Sequence, residues 1–210
     1  KDKELVIMHD SSVERTTNGS GPLKQFTLKE LKLLDAAFYY PSLQGKGITV
    51  PTLKEFLALL APVKDLLFIF DFKDDESILR ALPLIDSYQI GNRFILASVF
   101  ESSNQLLRES RLSPRVPVIT DITQTFKLIL AYGMNALAWV NVPQDVFGFV
   151  LLDRTRKFFT KGLVAAIHQK GLKVLVCGEE LSKVEVVREC VSFGVDFILT
   201  DRPDLLNSGL

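Results

Sequence analysis

The sequence has few cysteines, no net charge and no long apolar run. Its 2 cysteines, Cys177 and Cys190, are too few for a disulfide framework or a zinc finger, and free thiols favour a reducing compartment such as the cytoplasm. No apolar segment approaches the ~20 residues that a membrane-spanning helix needs. Lys plus Arg and Asp plus Glu each total 25, so the net basic charge of nucleic-acid-binding domains is missing. We therefore expect no transmembrane segment and no nucleic-acid partner.

Short apolar runs rich in β-branched and aromatic residues alternate with longer stretches of helical periodicity. This alternation is typical of βα units around a parallel sheet, and continuously apolar strands indicate burial on both faces. We find no internal repeat, linker or shift in composition, so we predict one domain over residues 1–210. The six predicted strands are Leu66–Phe72, Phe94–Ser98, Val116–Thr120, Ala136–Asn141, Lys173–Cys177 and Asp196–Thr200.

Start and stop signals mark the helices between these strands. Thr27 with Glu30 and Thr52 with Glu55 have the spacing of capping boxes. The first should open a helix over 31–37 and the second a helix beginning after Thr52. Further helices are predicted over 76–88, 102–111, 121–132, 160–170 and 181–193, with Gly133, Gly171 and Gly194 at C-caps.

Two architectures fit this pattern. A closed (β/α)₈ barrel needs eight strands and about 250 residues, so six units in 210 residues predict an incomplete TIM-type barrel whose first two units are missing. A doubly wound open sheet of six strands is the alternative. Periodicity alone does not separate the two.

A histidine ends the first apolar segment, Glu4–Asp10, which we interpret as a strand. His9 would therefore stand at the edge of a cleft. Its imidazole titrates near neutrality and can accept and return a proton, as general acid–base catalysis requires. The alternative is a half-buried histidine whose ring bonds the backbone. A polar turn follows, in which Asn18 and Gly19 permit positive φ.

A charged pair follows the strand that ends at Phe72. Asp71 and Lys73 are two residues apart and therefore share one face of the chain, at the end where parallel strands form a ligand crevice. A carboxylate there suits a divalent cation, and the lysine suits a phosphoryl oxygen. The alternative is a structural ion pair between these two side chains.

Other polar positions have structural interpretations. Asp201 in the segment Thr200–Pro203 should cap a following helix, and His168 should be a cation in a last helical turn or a surface residue. No phosphate-binding glycine loop, dinucleotide fingerprint or nucleophile elbow occurs in the chain.

Taken in order, these motifs resemble the glycerophosphodiester phosphodiesterase family. They are Val6–Asp10, Arg15–Gly19, Leu28–Ala36, Val50–Leu53, Phe70–Lys73 and Gly194–Pro203. The resemblance implies a TIM barrel that hydrolyses glycerophosphodiesters to sn-glycerol 3-phosphate and an alcohol in lipid metabolism, with Ca²⁺ or Mg²⁺. A glycerophosphodiester or a lysophospholipid-like molecule would be the substrate.

The resemblance also implies roles for three residues. His9 is similar to one of two catalytic histidines, Asp71 to a metal-binding carboxylate that is more often Glu, and Lys73 to a lysine near the phosphate. Where the family often has a Trp-Thr pair beside the substrate, this chain has Cys177 and Gly178.

The family's opening His-Arg-Gly strand and its Glu-x-Asp strand have no counterpart before Lys1. We therefore expect an N-terminally truncated domain that is weakly active or inactive by itself. The alternative function is a non-catalytic barrel scaffold that binds a phosphate-containing head group or a protein partner.

Overall fold

The computed structural model describes residues 1–110 and 116–204. The chain forms two compact units, one of Lys1–Leu67 with Glu76–Arg93 and one of Phe68–Asp75 with Phe94–Leu210. The single domain over 1–210 stays a prediction. No helix among the described residues is both long and apolar enough to cross a membrane.

In the first unit, the start of the chain pairs with the segment that leads into a helix. Val6 forms an antiparallel bridge with Thr52, and the Ile7 amide donates to the Pro51 carbonyl over 2.9 Å. The predicted strand Glu4–Asp10 is thus reduced to a single bridge, because the chain bends at His9 and leaves the pairing.

Both predicted capping boxes are confirmed. Thr27 caps α1 (Leu28–Leu31) and Thr52 caps α2 (Leu53–Leu60), each through reciprocal bonds with the glutamate three residues on. The predicted helix 31–37 is wrong, however, since α1 ends where that helix was to begin. Asp35 takes over the following backbone, accepting from the amides of Ala37 at 2.9 Å and Gly45 at 2.7 Å. These bonds compete with helical ones and turn the chain into a loop.

The helix α3 (Asp75–Ser87) matches its prediction to within one residue at each end. Beyond it, Arg93 donates to the carbonyls of Ala61 at 2.8 Å and Val63 at 2.7 Å. The guanidinium thereby bonds carbonyl groups at the C-terminal end of α2, which have no partner inside the helix.

The second unit is built on parallel strands. They are β1 (Phe68–Asp71), β2 (Phe94–Ala97), β3 (Val146–Val150), β4 (Lys173–Cys177) and β5 (Phe197–Leu199). β1 pairs with β2, and β4 pairs with both β3 and β5. Parallel bridges from Leu96 to Val118 and from Ile119 to Val146 connect the two groups. The predicted strand 116–120 is therefore present as this bridging segment.

The order of these strands separates the two predicted architectures. Each parallel segment neighbours the one before it in the chain, from β1 through the bridging segment to β5. A doubly wound sheet reverses its order at a switch point, whereas a barrel keeps sequential neighbours. The order thus favours the barrel type, although the described strands do not close into a ring. The count of six units out of eight stays a prediction.

One predicted strand is wrong and one was missed. Residues 136–141 contain the 3₁₀ turn Leu137–Trp139, and the strand lies further on, at β3. Gly148 in the middle of β3 hides the strand signal, because glycine is depleted in strands. A Cβ at Gly148 would lie 2.7 Å from Ile119 Cγ2, so the bridging segment approaches too closely for any side chain.

The remaining helices, with one exception, agree with their predictions in position. They are α4 (Glu101–Glu109), α5 (Ile122–Gly133), α6 (Asp153–Arg156), α7 (Lys161–Gln169) and α8 (Val184–Phe193). Of these, α6 was not predicted, and the predicted end of α4 at Arg111 lies outside the described residues. Gly194 is a left-handed C-cap as expected, whereas Gly133 belongs to α5 and the left-handed residue there is Asn135.

Hydrophobic residues of the second unit form two clusters on opposite faces of the sheet. The inner cluster contains Ile95, Ala97, Ile119, Val146 and Leu175, with Ile69, Cys177 and Phe197 packed against it. The outer cluster joins Phe147, Phe149, Val174 and Val176 to buried residues of α5, α7 and α8. Alternate residues of a strand point to opposite faces, so the parity of a position tells which cluster it faces.

Candidate functional site

Asp71 ends β1 on the same face as Ile69, which packs against the inner cluster. It is paired in register with Ala97, the last residue of β2 and a member of that cluster. Ligands of parallel α/β sheets bind at the carboxyl ends of the strands. Asp71 therefore occupies the expected edge of the sheet, on its inner face.

Lys73 lies next to Asp71, as the spacing of two residues predicts. Its Nζ donates to Asp71 Oδ2 over 2.6 Å, with 37% of the lysine side chain and 40% of the aspartate side chain exposed. Pairs this exposed contribute only about 0–1 kcal/mol to stability. The ion pair is thus weak enough for an incoming anion to compete for the lysine.

Buried hydrogen bonds hold the backbone between these two side chains. The Phe72 amide donates to the Ala97 carbonyl over 2.8 Å, and the Ser98 hydroxyl donates to the Phe72 carbonyl over 3.0 Å. Asn104 in turn donates to the Ser98 carbonyl over 2.6 Å. Asp71 and Lys73 are therefore partly exposed side chains on a backbone that buried hydrogen bonds hold in place.

Cys177 ends β4 and packs against the same inner cluster. Burial, followed by the negative charge of Asp71, raises the pKa of its thiol. The side chain is therefore a neutral thiol at pH 7 and a poor nucleophile. Cys177 and Cys190 are both free, as the sequence predicts.

His9 belongs to the first unit, just after the bridge at Val6. Its Nδ1 lies 2.7 Å from Asp10 Oδ1, and 72% of its side chain is exposed. Arg15 donates to the same carboxylate through Nε at 2.5 Å and Nη2 at 3.0 Å. The alternative of a histidine bonded to backbone is not what the structure shows, since the partner of the ring is a carboxylate.

Sequence reasoning missed Asp10 and Arg15 as functional candidates, although both lie in the motifs that carry the family resemblance. The hydrogen bonds from Arg15 and then His9 hold the pKa of Asp10 well below its usual range. The carboxylate is therefore ionised at any pH where an enzyme works. The spacing of five residues between Asp10 and Arg15 matches the period of neither a helix nor a strand. Only the turn over 13–19 brings their side chains together.

This turn is ordered by one buried hydroxyl. Thr17 donates through Oγ1 to the Val13 carbonyl over 2.8 Å and is almost fully buried. Gly19 does not adopt the positive φ expected of an Asn-Gly pair, which Gly21 adopts instead. A Cβ at Gly19 would lie 2.7 Å from Leu34 Cδ1, so a larger residue there would require the Leu34 side chain to shift.

The structure brings Asp71 and Lys73 together within the second unit and places His9 in the first. The convergence of all three on one substrate stays a prediction.

The residues described here do not form a cation site by themselves. Among residues 1–110 and 116–204, no group of three or more His, Cys, Asp or Glu side chains could hold a metal ion. Hard divalent cations take about six or more oxygen ligands. Asp71 supplies one carboxylate, which already bonds Lys73, so the fit to Ca²⁺ or Mg²⁺ fails on ligand number.

The remaining polar candidates are structural. The Thr200 hydroxyl donates to the Leu181 carbonyl over 3.0 Å, and Arg202 pairs with Asp204. The helix that Asp201 was predicted to cap falls mainly on residues 205–210, outside the described residues. His168 lies in the last turn of α7, as predicted, and its Nε2 is 2.8 Å from Asp196 Oδ2.

Comparison with known proteins finds similarity over nearly the whole chain. The model of the glycerophosphoryl diester phosphodiesterase family matches residues 1–205. A glycerophosphodiester phosphodiesterase of Bacillus subtilis (strain 168) is 45% identical over 224 residues, covering 99% of this chain and 72% of that protein. A glycerophosphodiester phosphodiesterase from Caldanaerobacter subterraneus subsp. tengcongensis is 29% identical over 215 residues, covering 98% of this chain and 80% of that protein.

Solved structures show the fold. The structure of an Oleispira antarctica phosphodiesterase in complex with the product sn-glycerol-3-phosphate matches with a TM-score of 0.73 at 19% identity, covering 97% of this chain and 79% of that one. A glycerophosphodiester phosphodiesterase from Agrobacterium tumefaciens matches with a TM-score of 0.71 at 22% identity, covering 98% and 81%. Because these neighbours have the TIM-barrel fold of the family, the barrel type is the correct fold class. The match of the family model over residues 1–205 shows that the chain belongs to the glycerophosphoryl diester phosphodiesterase family.

Proposed function

We propose that this chain hydrolyses glycerophosphodiesters to sn-glycerol 3-phosphate and an alcohol, as part of glycerophospholipid metabolism. The observation that carries the proposal is the family match over residues 1–205, which includes both the His9 motif and the Asp71–Lys73 motif. A cytoplasmic location is the accompanying proposal, supported by two free cysteines of the kind that reducing compartments maintain.

The proposed chemistry assigns one task to each side chain. Lys73 binds a phosphoryl oxygen of the substrate, which replaces Asp71 as the partner of the lysine. The ammonium group then places positive charge where negative charge grows in the transition state. His9 transfers a proton at the ester, since its largely exposed ring can accept and return one.

A divalent cation, Ca²⁺ or Mg²⁺, is the cofactor proposed for Asp71. Because the described residues supply a single carboxylate to such an ion, we expect the 210 residues by themselves to bind it weakly. We accordingly propose that hydrolysis by this chain alone is slow.

The head group of the substrate is proposed from the edge of the sheet. Cys177 presents a small neutral side chain on the inner face, where a large ring would limit space. We therefore propose that this end of the sheet leaves room for the choline of glycerophosphocholine, and also for a lysophospholipid-like substrate. Equal rates on a compact and a bulky head group would agree with this proposal.

The test is release of sn-glycerol 3-phosphate from glycerophosphocholine by the 210-residue chain, with added Ca²⁺, Mg²⁺ or a chelator. We expect slow release that falls by on the order of 10²-fold in His9→Ala, because the proton-transfer group is lost. Lys73→Ala should also lower the rate, and Lys127→Ala, which removes an exposed lysine from α5, should not.

Two results would contradict the proposals separately. Release within about tenfold of the Caldanaerobacter relative, assayed in parallel, would contradict the slow rate. Release that is unchanged in His9→Ala would remove His9 from the mechanism.

A non-catalytic scaffold is the second candidate function. Two observations favour it. Lys73 already bonds Asp71, and the described residues contain no group of three or more side chains that could hold a metal ion. This candidate predicts that sn-glycerol 3-phosphate binds the chain, measured by calorimetry, while no hydrolysis is detected even at high protein concentration.

A further inference from the structure

His9, Asp10 and Arg15 form a connected set of charged and titratable groups in the first unit. One oxygen of Asp10 faces His9 Nδ1 at 2.7 Å, and Arg15 bonds both oxygens at 2.5 and 3.0 Å. Only 25% of the Asp10 side chain is exposed, against 72% of the His9 side chain. The carboxylate thus lies between the imidazole and the guanidinium, while the ring extends into solvent.

The chemistry of these groups decides which ring nitrogen carries the proton of a neutral imidazole. An ionised carboxylate only accepts hydrogen bonds, so the nitrogen that faces it must carry the hydrogen. In His9 that nitrogen is Nδ1, and Nε2 keeps its lone pair. We propose that Asp10 and Arg15 are positioning residues that hold neutral His9 as its Nδ1–H tautomer and leave Nε2 for proton transfer, an inference that rests on the proposed function.

Arg15 has a separate task in this arrangement. Its planar guanidinium bonds both oxygens of Asp10 and so fixes the orientation of the carboxylate, which a lysine cannot do. It also balances the negative charge of Asp10. The buried bond from Thr17 to the Val13 carbonyl orders the turn from which Arg15 extends. The set is therefore preorganised before a substrate arrives.

The chain contains its own control for this inference. It has 2 histidines, and the second, His168, also faces an aspartate, but through Nε2. By the same reasoning, neutral His168 is the Nε2–H tautomer. The two histidines are thus expected to show opposite tautomers in one spectrum.

The experiment is a long-range ¹H–¹⁵N correlation spectrum of the 210-residue chain, at a pH where both imidazoles are neutral. We expect Nδ1–H for His9 and Nε2–H for His168. Asp10→Asn should shift His9 toward Nε2–H and leave the His168 signals in place, which also shows that the variant is folded. Asp196→Asn should change His168 alone.

The inference is overturned if His9 is mainly Nε2–H in the unmodified chain. It is also overturned if Asp10→Asn leaves the His9 tautomer unchanged while Asp196→Asn changes that of His168. Neither tautomer measurement requires the chain to hydrolyse a substrate.

Hydrolysis tests whether the arrangement serves catalysis. Asp10→Asn should lower kcat by about 10- to 100-fold with little change in KM, as loss of a group that orients a functional histidine does. Arg15→Lys keeps the positive charge but loses the two parallel hydrogen bonds of the guanidinium. It should lower kcat by less than Asp10→Asn does. If His9→Ala leaves hydrolysis unchanged while the tautomers are as expected, the catalytic role of His9 fails and the positioning of its ring stands. If His9→Ala slows hydrolysis and Asp10→Asn does not, the positioning role is overturned and the proposed function stands.

Discussion

Asp196 accepts hydrogen bonds from three donors: His168 Nε2, Lys173 Nζ and the Val174 amide, each at 2.8 Å. Burial of the side chain acts to raise its pKa, but the bonds from Lys173, the Val174 amide and His168 outweigh burial and lower it. The carboxylate thus ties the end of α7 and the start of β4 to the residue before β5.

Stability should therefore depend on Asp196 in a pH-dependent way. A folded-state pKa below the unfolded value of about 3.9 means that the stabilisation is present above that pH and is lost as the pH falls through the folded pKa. Asp196→Asn should lower the free energy of unfolding at pH 7 by about 1–3 kcal/mol, measured by urea denaturation.

The difference between the two proteins should shrink below about pH 4. Asp204→Asn is the matched control, because its partner Arg202 and Asp204 itself are both exposed. A difference that stays constant from pH 7 to pH 3 would contradict this account.

The candidate site could be predicted from sequence only where one local rule decided it. The period of two along a strand puts Asp71 and Lys73 on one face, and the structure confirms their contact. The bond between Asp10 and Arg15 follows no such period, because it depends on the path of a turn. His9 and Asp71 belong to different units, and their convergence on one substrate stays a prediction that no local pattern decides.

At the scale of single elements, the segment next to β3 limits the size of the side chain in the middle of that strand. Gly148 leaves room for Ile119 of the bridging segment, and its amide donates to Thr120 Oγ1 in the same segment over 3.0 Å. A side chain at this position would push the two segments apart.

Gly148→Ala should destabilise the chain by about 1–3 kcal/mol, the usual range for an overpacked interior. Gly133→Ala is the control, because that glycine has a helical position with no neighbour near the added Cβ, and alanine has the higher helix propensity. Thermal unfolding should show a lower Tm for the first variant and an unchanged or higher Tm for the second. A Gly148→Ala variant as stable as Gly133→Ala would show that the sheet relaxes at no cost.

The same element explains where prediction of the fold failed. Both capping boxes could be predicted because a capping box is defined within four consecutive residues. The apolar run 136–141 resembles a strand, and nothing local reveals that the pairing position next to Ile119 belongs to Val146. Register is decided by distant residues, so a strand interrupted by glycine was overlooked.

At the scale of the whole molecule, burial is uneven. Val174 and Val176 are fully buried in β4, a strand that pairs with β3 on one side and β5 on the other, whereas residues 41–48 are exposed throughout. Local opening costs least where few buried contacts are lost.

Hydrogen–deuterium exchange should follow this difference. Peptides that cover β4 should exchange most slowly, at a rate set by global unfolding, and peptides that cover 41–48 should exchange first. Similar rates for the two segments would contradict the assignment of the sheet as the stable part of the chain.

The sequential order of the parallel strands has a consequence for how the protein is made. Each strand of the second unit bonds the parallel segment that was synthesised just before it, so every pairing closes over one strand–helix repeat of the chain. Contacts between residues close in sequence form at low entropic cost. The sheet can therefore grow on the ribosome one strand at a time, without waiting for the C-terminus to emerge.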